Sequence, residues 1–453
     1  MAEECETPRK EAPVILGVFD SLKNSAIIVH QERCAKVRNR NVKCLKCAAA
    51  CTSGCISLVD DQLVIDESKC VGCGTCATVC PTCALEALNP KDELLYSECK
   101  RATKDGVCVI SCKLALQAMK GLIDETNVVP VVCTGRIEES LIVRLASAGA
   151  REVRIVCGNC DSCAQKLGHE TACMVAASAK ELLAAWGSDI SVVLSQSFPD
   201  SMLLPGATQE KCAEASKSFF ARGRSNVTID ELEAAGAADG TGEAGAAGAC
   251  EGAAGKGEAA GEAAGAAGEA AAEAAGEGEA AGEEVGASEA SGKNNNPDQL
   301  SYHLQHVMDD GTLPHFIPDR RERLLDALCA LGSPVNKEIR SRLWGCIVID
   351  GTKCVSCRMC ATFCPTGAIT KFDEEDGTFG VRHFPADCVK CCSCQDICPA
   401  NAIMVLDNVQ ASFLVDGQTH RYVMKERATT QNDAHQILSH MRFQMEGSDI
   451  FER

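Results

Sequence analysis

One spacing of cysteines recurs three times along the chain and constrains its fold more than any other feature. It is Cys-x2-Cys-x2-Cys-x3-Cys-Pro, in which three thiolates two residues apart let one tight loop hold a corner of a cubane iron–sulfur cluster. The fourth cysteine points to the other cluster of a pair. The runs are Cys70, Cys73, Cys76, Cys80 and Pro81; Cys354, Cys357, Cys360, Cys364 and Pro365; and Cys388, Cys391, Cys394, Cys398 and Pro399.

A fourth, degenerate copy precedes the first run. Cys51-Thr-Ser-Gly-Cys-Ile56 aligns with the segments that follow Cys80, Cys364 and Cys398, which makes Cys51 a fourth ligand. Counting back makes Cys47 and Cys44 the third and second ligands and places Asn41 where the first cysteine is expected. Cys34 is the natural replacement. The alternative register takes Cys44, Cys47, Cys51 and Cys55 as one set, so the first ligand is Cys34 or Cys55.

Crossed pairing of the runs predicts four [4Fe–4S] clusters, because each fourth cysteine serves the partner cluster. The predicted sets are Cys34, Cys44, Cys47 and Cys80 for cluster 1; Cys70, Cys73, Cys76 and Cys51 for cluster 2; Cys354, Cys357, Cys360 and Cys398 for cluster 3; and Cys388, Cys391, Cys394 and Cys364 for cluster 4. Zinc also binds four thiolates, but its sites are usually built from separated Cys-x2-Cys pairs. Iron–sulfur ligation is therefore the preferred interpretation.

The chain contains 32 cysteines in 453 residues, a density otherwise typical of secreted disulfide-rich proteins. Residues 1–30 show no basic segment followed by an apolar one, and no apolar run of about 18 residues occurs. We therefore expect a cytoplasmic protein without a membrane span, whose reduced thiols bind metal. The net charge of −19 argues against nucleic acid as a partner.

A different pattern fills the region between the cysteine-rich blocks, roughly 97–200. Four Val/Ile-rich runs alternate with helix-like segments, which predicts a parallel sheet. Cys133 and Cys157 end two of these strands, at the edge where open α/β sheets place their sites. The predicted candidate for a fifth metal site is the set Cys133, Cys157, Cys160 and Cys163. The alternative is that these thiols are buried as small apolar side chains.

We predict an α+β architecture in which two ferredoxin-like modules flank a small α/β domain. Residues 201–299 are expected to form an acidic linker whose Ala/Gly/Glu-rich core, 227–292, is disordered and lets the modules adopt different docking geometries. The expected segments are a leader, 1–30; a module, 31–96; the α/β domain, 97–200; the linker, 201–299; a segment of two short helices, 300–345; a module, 346–408; and a tail, 409–453.

Both cysteine-rich blocks resemble bacterial two-[4Fe–4S] ferredoxins. The N-terminal block, with Cys34-x3-Arg38 ahead of Cys44, is similar to multi-ferredoxin proteins associated with molybdenum-dependent oxidoreductases such as formate dehydrogenase. Cys133-Thr-Gly-Arg136 with a later cysteine-rich strand end resembles the iron–sulfur delta subunit of methyl-viologen-reducing hydrogenases. These resemblances imply a formate dehydrogenase, another molybdoenzyme or a hydrogenase as partner.

The expected function is that of a polyferredoxin, which relays single electrons between cytoplasmic redox enzymes. An accessory role in the maturation of a molybdenum-dependent oxidoreductase is the alternative, and thiol chemistry at the middle cysteines is a third hypothesis. No Gly-x-Gly-x-x-Gly follows a strand, and no Ser/His/Asp set or paired carboxylates stand out. We therefore predict an electron-transfer protein without catalytic residues of its own.

Overall fold

The computed structural model describes residues 26–222, 308 and 311–425. The chain divides into two compact units, one formed by 1–240 with 304–453 and the other by 241–303. All described residues belong to the first unit. The core of the predicted linker, 227–292, and most of the predicted leader lie outside the described residues.

The N-terminal module wraps two small antiparallel pairs of strands around its cysteines. Strand β1 pairs with β4, placing Ile27 opposite Ala87, and β2 forms a hairpin with β3 through Asp60 and Asp61, both at positive φ. Strand β1 lies within the predicted leader, so the module begins earlier than expected. Its elements are β1 (Ile27–Val29), α1 (Ala35–Arg38), α2 (Lys46–Ala49), β2 (Ile56–Val59), β3 (Gln62–Ile65), α3 (Thr75–Val79) and β4 (Leu85–Ala87).

The middle domain contains the parallel sheet that the alternating pattern predicts. Its four strands lie in the order β6-β5-β7-β8, and Ile110 on β5 is paired with Val129 on one side and Ile155 on the other. These apolar β-branched residues are buried, as expected for a parallel sheet covered on both faces. The elements are α4 (Asp92–Ala102), β5 (Val107–Cys112), α5 (Lys113–Ala118), β6 (Val128–Val131), α6 (Glu139–Ser147), β7 (Glu152–Val156), α7 (Lys166–Ala185), β8 (Ser191–Ser195) and α8 (Gln209–Ala221).

The C-terminal module has the same antiparallel design with one additional sheet. Strand β10 pairs with β13, β9 with β14, and β12 lies between β11 and β15. The elements are α9 (Asp319–Leu331), β9 (Glu338–Arg340), β10 (Cys346–Ile349), α10 (Met359–Thr362), β11 (Ile369–Asp373), β12 (Phe379–His383), α11 (Ser393–Asp396), β13 (Ile403–Leu406), β14 (Asn408–Gln410), α12 (Ala411–Val415) and β15 (His420–Met424).

Three expected segment descriptions differ from the structure. The predicted linker begins with helix α8, whose Cys212 and Phe220 are buried against the middle domain. Within 311–345 the structure has one helix, α9, where two were expected. The predicted tail contributes β14, α12 and β15, because β15 completes the sheet of β11 and β12. The elements of the tail have only three to five residues each, too few for periodicity to give a signal.

The modules are packed on one another, contrary to the expectation of independently docking modules. Helix α9 packs against α6 of the middle domain, and Leu328 and the fully buried Trp344 share one apolar core with Ile142 and Leu182. A second apolar cluster joins the N-terminal and C-terminal modules directly. It consists of Ala35, Val42, Leu313, Met359, Phe363 and Ile397.

Among the described residues, no helix has both the length and the apolar character required to cross a bilayer.

Candidate metal centres

The cysteine loops owe their shape to pairs of residues in the left-handed backbone conformation. Each run has one such residue just before its second cysteine and another just after it. The pairs are Gly72 and Gly74, Ser356 and Arg358, and Lys390 and Cys392. Left-handed residues turn the chain sharply, so three cysteines of one loop can face one point. Cys392, which lies between two predicted ligands, thus occupies a turn position.

The predicted ligands of cluster 1 lie together. Burial raises the pKa of Cys47 to about 12, and the neighbouring thiols of Cys80, Cys34 and Cys44 contribute to the rise. Cys34 is in turn affected by Cys80 and Cys44. Cys34 is the N-cap residue of helix α1, and Arg33 and Lys36 flank it in sequence. The structure therefore places Cys34 in the position that the repeat-based register assigns to it.

The predicted ligands of cluster 2 also converge, with Cys55 beside them. Burial raises the pKa of Cys76, and Cys73, Cys70 and Cys51 are among the thiols that add to this effect. The sulfur of Cys55 lies 3.4 Å from that of Cys51. Burial raises the pKa of Cys55 to about 12, and the thiols of Cys51 and Cys70 contribute to the rise. Cys55 therefore lies beside predicted ligands of cluster 2.

The C-terminal module shows the crossed arrangement of its two runs. The thiols that raise the pKa of buried Cys360 are Cys357, Cys354 and, from the other run, Cys398. For buried Cys394 they are Cys391, Cys388, Cys364 and, more weakly, Cys360. Each fourth cysteine thus lies with the three cysteines of the opposite run, as the predicted clusters 3 and 4 require.

Backbone amides donate hydrogen bonds to several of these sulfur atoms. The amide of Ala84 donates to Cys80 Sγ at 3.2 Å, and that of Ala402 donates to Cys398 Sγ at 3.3 Å. The two interactions occupy equivalent positions, four residues after the cysteine named. Amide donors stabilise thiolates, which are the ligating form of cysteine.

Four thiols brought together in a partly buried site cannot all ionise without a compensating positive charge, because burial and like charges both disfavour the thiolate form. Iron ions supply such a charge, and ligation of a metal requires the deprotonated thiols. Each set offers four sulfur ligands on tightly turned loops, and amide donors reach two of the sets. The residues present thus fit the [4Fe–4S] cluster that the spacing predicts.

A further group of candidate metal ligands lies at the carboxyl edge of the sheet in the middle domain. A nitrogen of the His169 ring and the sulfurs of Cys157 and Cys160 all lie within 4.8 Å of one another. Cys163 and Cys133 lie close by, on either side of Gln165: its amide donates to Cys163 Sγ at 3.4 Å, and its carbonyl is 4.0 Å from Cys133 Sγ. The four predicted residues therefore share one region, and three donor atoms form its tightest part.

Two further residues of this region were not among the predicted ligands: Cys112, which the sequence suggested to be a structural cysteine, and His169. Cys112 ends strand β5, and besides burial the thiols of Cys157 and Cys163 contribute to raising its pKa to about 11. Its position at a strand end, like those of Cys133 and Cys157, was a usable signal. His169 lies on helix α7, and no spacing in the sequence connects it with Cys157.

Two glycines allow the cysteines of the middle domain to lie close to the loop of cluster 2. A Cβ atom at Gly168 would lie 2.3 Å from Cys133 Sγ, and one at Gly135 would lie 2.5 Å from Thr75 Oγ1. Thr75 stands between the predicted ligands Cys73 and Cys76. Besides burial, Cys73 is among the thiols that raise the pKa of Cys133, to about 12. The small residues therefore let the cysteine-rich strand end lie directly on the cluster 2 loop.

A cavity of about 410 Å³ lies where the three parts of the described unit meet. Cys80, a predicted ligand of cluster 1, lines it together with Cys83, Glu138 and Arg320. Cys83 has a φ of 49° at the position that Gly367 and Asn401 occupy in the other repeats. Arg320 donates to Cys83 Sγ, to Ala77 O at 2.9 Å, and lies 2.8 Å from Glu138 Oε2. This buried ionic network holds helix α9 against the N-terminal module.

Comparisons with known proteins agree with the cysteine runs. Residues 63–86 match the family described as 4Fe-4S binding domain, and residues 353–402 match the 4Fe-4S dicluster domain. A stretch of 55 residues is 36% identical to "Putative oxidoreductase AegA" of Escherichia coli (strain K12), and covers 12% of this chain and 8% of that protein. No solved structure gives a significant match. Two segments of the chain are thus ferredoxin-type 4Fe–4S domains, which supports a role in iron–sulfur electron transfer.

Proposed function

We propose that the protein is a polyferredoxin, which relays single electrons between redox enzymes through four [4Fe–4S] clusters. Its ligands would be the four predicted cysteine sets. Each cluster, when bound, takes up and releases one electron, and the protein sets its potential through burial and hydrogen bonds to sulfur. The observation that carries the proposal is the electrostatic influence that thiols of neighbouring sets exert on one another.

These electrostatic influences connect the sets in one continuous series. Cys47 of set 1 is among the thiols that act on Cys76 of set 2, and Cys360 of set 3 acts on Cys394 of set 4. The modules meet where Cys44 of set 1 influences Cys392, which lies between ligands of set 4.

The proposed order of the four sets is 2, 1, 4 and 3, with the middle cysteines beside set 2. Because thiols of neighbouring sets lie close enough to influence one another's pKa values, electrons would pass along the series without a change in the arrangement of the modules. This fixed path for electrons differs from the flexible docking of the modules that was expected from the sequence. One enzyme would exchange electrons at the middle domain, and another at the outer end of the C-terminal module.

The middle cysteines would hold a fifth centre at the entry to this series. Cys133, Cys157, Cys160 and Cys163 offer four thiols, and the structure adds Cys112 and His169 to the donors within reach. We propose an iron–sulfur centre there, by analogy with the hydrogenase subunit that the strand-end motif resembles. Hydrogenases and molybdenum-dependent enzymes such as formate dehydrogenase are the proposed partners.

Electron transfer is tested with anaerobically purified, iron-loaded protein. Dithionite should bleach its visible absorbance, and addition of an oxidised partner enzyme, after removal of dithionite, should restore the absorbance in the time of a single turnover. The matched control is Cys329→Ser, because Cys329 is exposed and belongs to no set. A fully loaded protein that neither accepts electrons from dithionite nor delivers them to any redox enzyme would contradict the proposal.

A further inference from the structure

Arg38 is a buried arginine with hydrogen-bond donors that lack an acceptor. It ends helix α1 in the N-terminal module and is 7% exposed. Its Nη1 donates to Glu32 O at 3.1 Å and to Pro314 O at 2.6 Å. In the part of the chain that the structure describes, no atom accepts a hydrogen bond from its Nε or Nη2, although both are buried.

Burial lowers the pKa of Arg38, and the groups that oppose this most are the thiols of Cys364 and Cys391 in the other module, followed by Glu32. Cys364 and Cys391 are both predicted ligands of cluster 4. Leu313 and Phe363 lie in the apolar cluster around this contact, which keeps water away from the guanidinium group. The free donors of Arg38 thus lie at the module interface, on the side of cluster 4.

A second arginine has the same relation to this cluster. Arg321 on helix α9 is also 7% exposed; its Nη2 donates to Leu343 O at 2.5 Å, and its guanidinium lies 4.5 Å from the centre of the Trp344 ring. Its Nη1 is buried, and no described atom accepts its hydrogen bond. Among the thiols, Cys388, a third predicted ligand of cluster 4, is the one on which its charge acts most.

A buried donor without an acceptor costs about 1–3 kcal/mol, and more when it is charged. Sulfur atoms of a bound cluster would accept these hydrogen bonds. We propose that Arg38 and Arg321 donate hydrogen bonds to the sulfur atoms of cluster 4 and give this cluster a higher reduction potential than its neighbours, clusters 1 and 3. The inference rests on the proposed electron-transfer function and adds a direction to it, because electrons on clusters 1 and 3 would move to cluster 4, at the junction of the modules.

The higher reduction potential of cluster 4 has an electrostatic cause. Reduction adds one negative charge to a cluster, and cations and hydrogen-bond donors stabilise that charge. The neighbouring set 3 has a different environment: the groups that act on Cys357 and Cys360 are thiols and backbone amides. In set 1, the effect of Lys46 on Cys44 is opposed by Asp396. Two buried arginines therefore distinguish set 4 from these neighbours.

The test is a redox titration of the loaded, full-length protein followed by EPR spectroscopy. Arg38→Gln and Arg321→Gln should each lower the potential of one and the same cluster. We expect the equilibrium constant for its reduction to fall by a factor of ten or more, which corresponds to 59 mV for one electron. Arg38→Lys, which keeps the charge and a donor, should give a smaller shift.

The matched control is Arg421→Gln. Arg421 lies on β15 of the C-terminal module, and its guanidinium pairs with Glu374 at 2.6 Å at the surface. This variant should leave the potential that responds to Arg38→Gln and Arg321→Gln unchanged. Iron content measured on every variant separates a shifted potential from a lost cluster, and Arg321→Gln tests the inference if Arg38→Gln does not fold.

The inference is overturned if both glutamine variants retain all the wild-type potentials, or if the two variants shift the potentials of different clusters. A failure of the proposed function is recognised separately, because the wild-type protein would then show no reducible clusters.

Discussion

Arg320 donates two hydrogen bonds to the thiol of Cys83, from Nη2 at 2.6 Å and from Nε at 3.1 Å. The same guanidinium pairs with Glu138, whose side chain is almost fully buried. Replacing Arg320 by alanine would leave the buried carboxylate without its partner, and such losses cost about 3–5 kcal/mol. We expect Arg320→Ala to be strongly destabilised in urea unfolding.

Arg323→Ala is the matched control on the same helix. Arg323 pairs with Glu93 at 3.0 Å and with Asp319 at 3.4 Å, and all three side chains are partly exposed. Pairs of this kind contribute about 0–1 kcal/mol, so the control should unfold near the wild-type midpoint. Equal stability of the two variants would show that the Arg320 network does not hold the modules together.

The crossed pairing predicts which cluster each fourth cysteine serves. Cys398→Ser should remove or alter cluster 3, although Cys398 belongs to the run of cluster 4 in sequence. Cys364→Ser should do the same to cluster 4. EPR spectra of the reduced variants should therefore lose different signals. If Cys398→Ser instead removed the cluster with the arginine-sensitive potential, each run would hold its own fourth ligand.

The two possible registers of cluster 1 make opposite predictions. In the repeat-based register, Cys34→Ser should lower the iron content by up to one cluster, about four iron atoms. Cys55→Ser should retain the full content, because Cys55 lies beside Cys51 and Cys70 of set 2. Iron analysis of both variants decides between them, since the alternative register predicts the reverse result.

His383 predicts a pH dependence of stability. The ring is fully buried, neither nitrogen has a hydrogen-bond partner among the described residues, and burial together with His420 lowers its pKa to about 3. Below the unfolded pKa of about 6.5, the unfolded chain binds a proton that the folded protein does not. Stability should therefore fall on acidification, by about 1.4 kcal/mol per pH unit between these two values.

The variant His383→Leu should remove this contribution, so its urea midpoint should decline less than that of the wild type between pH 6.5 and 5.5. His315→Gln is the control, because His315 is exposed, and should behave like the wild type. A decline of His383→Leu that parallels the wild type would show that other groups cause the acid sensitivity.

Local signals in the sequence anticipated the parts of the structure that depend on short spacings. The three cysteine runs specify their loops because cysteines separated by two residues on a tight turn face one point. The parallel sheet followed from buried Val/Ile runs such as Val107–Cys112 that alternate with helices. Cys34 was predicted as a ligand because the other runs supplied a template for the missing first cysteine.

Relations between distant segments could not be predicted in this way. Arg38 and Pro314 are separated by 276 residues, and their hydrogen bond joins the modules. Trp344 joins the core of the middle domain, although the linker and helix α9 lie between them in sequence. A single sequence contains no signal for such pairs, because hydrophobic and ionic complementarity at an interface has no fixed spacing.

The most direct test of the central claim is the iron and acid-labile sulfide content of protein purified without oxygen. Four cubane clusters correspond to about sixteen atoms of each per chain, and an occupied middle centre would add to both numbers. A brown protein with this content would agree with the proposed assignment of the cysteines. A colourless, iron-poor protein, or one whose cysteines are linked to one another, would contradict it.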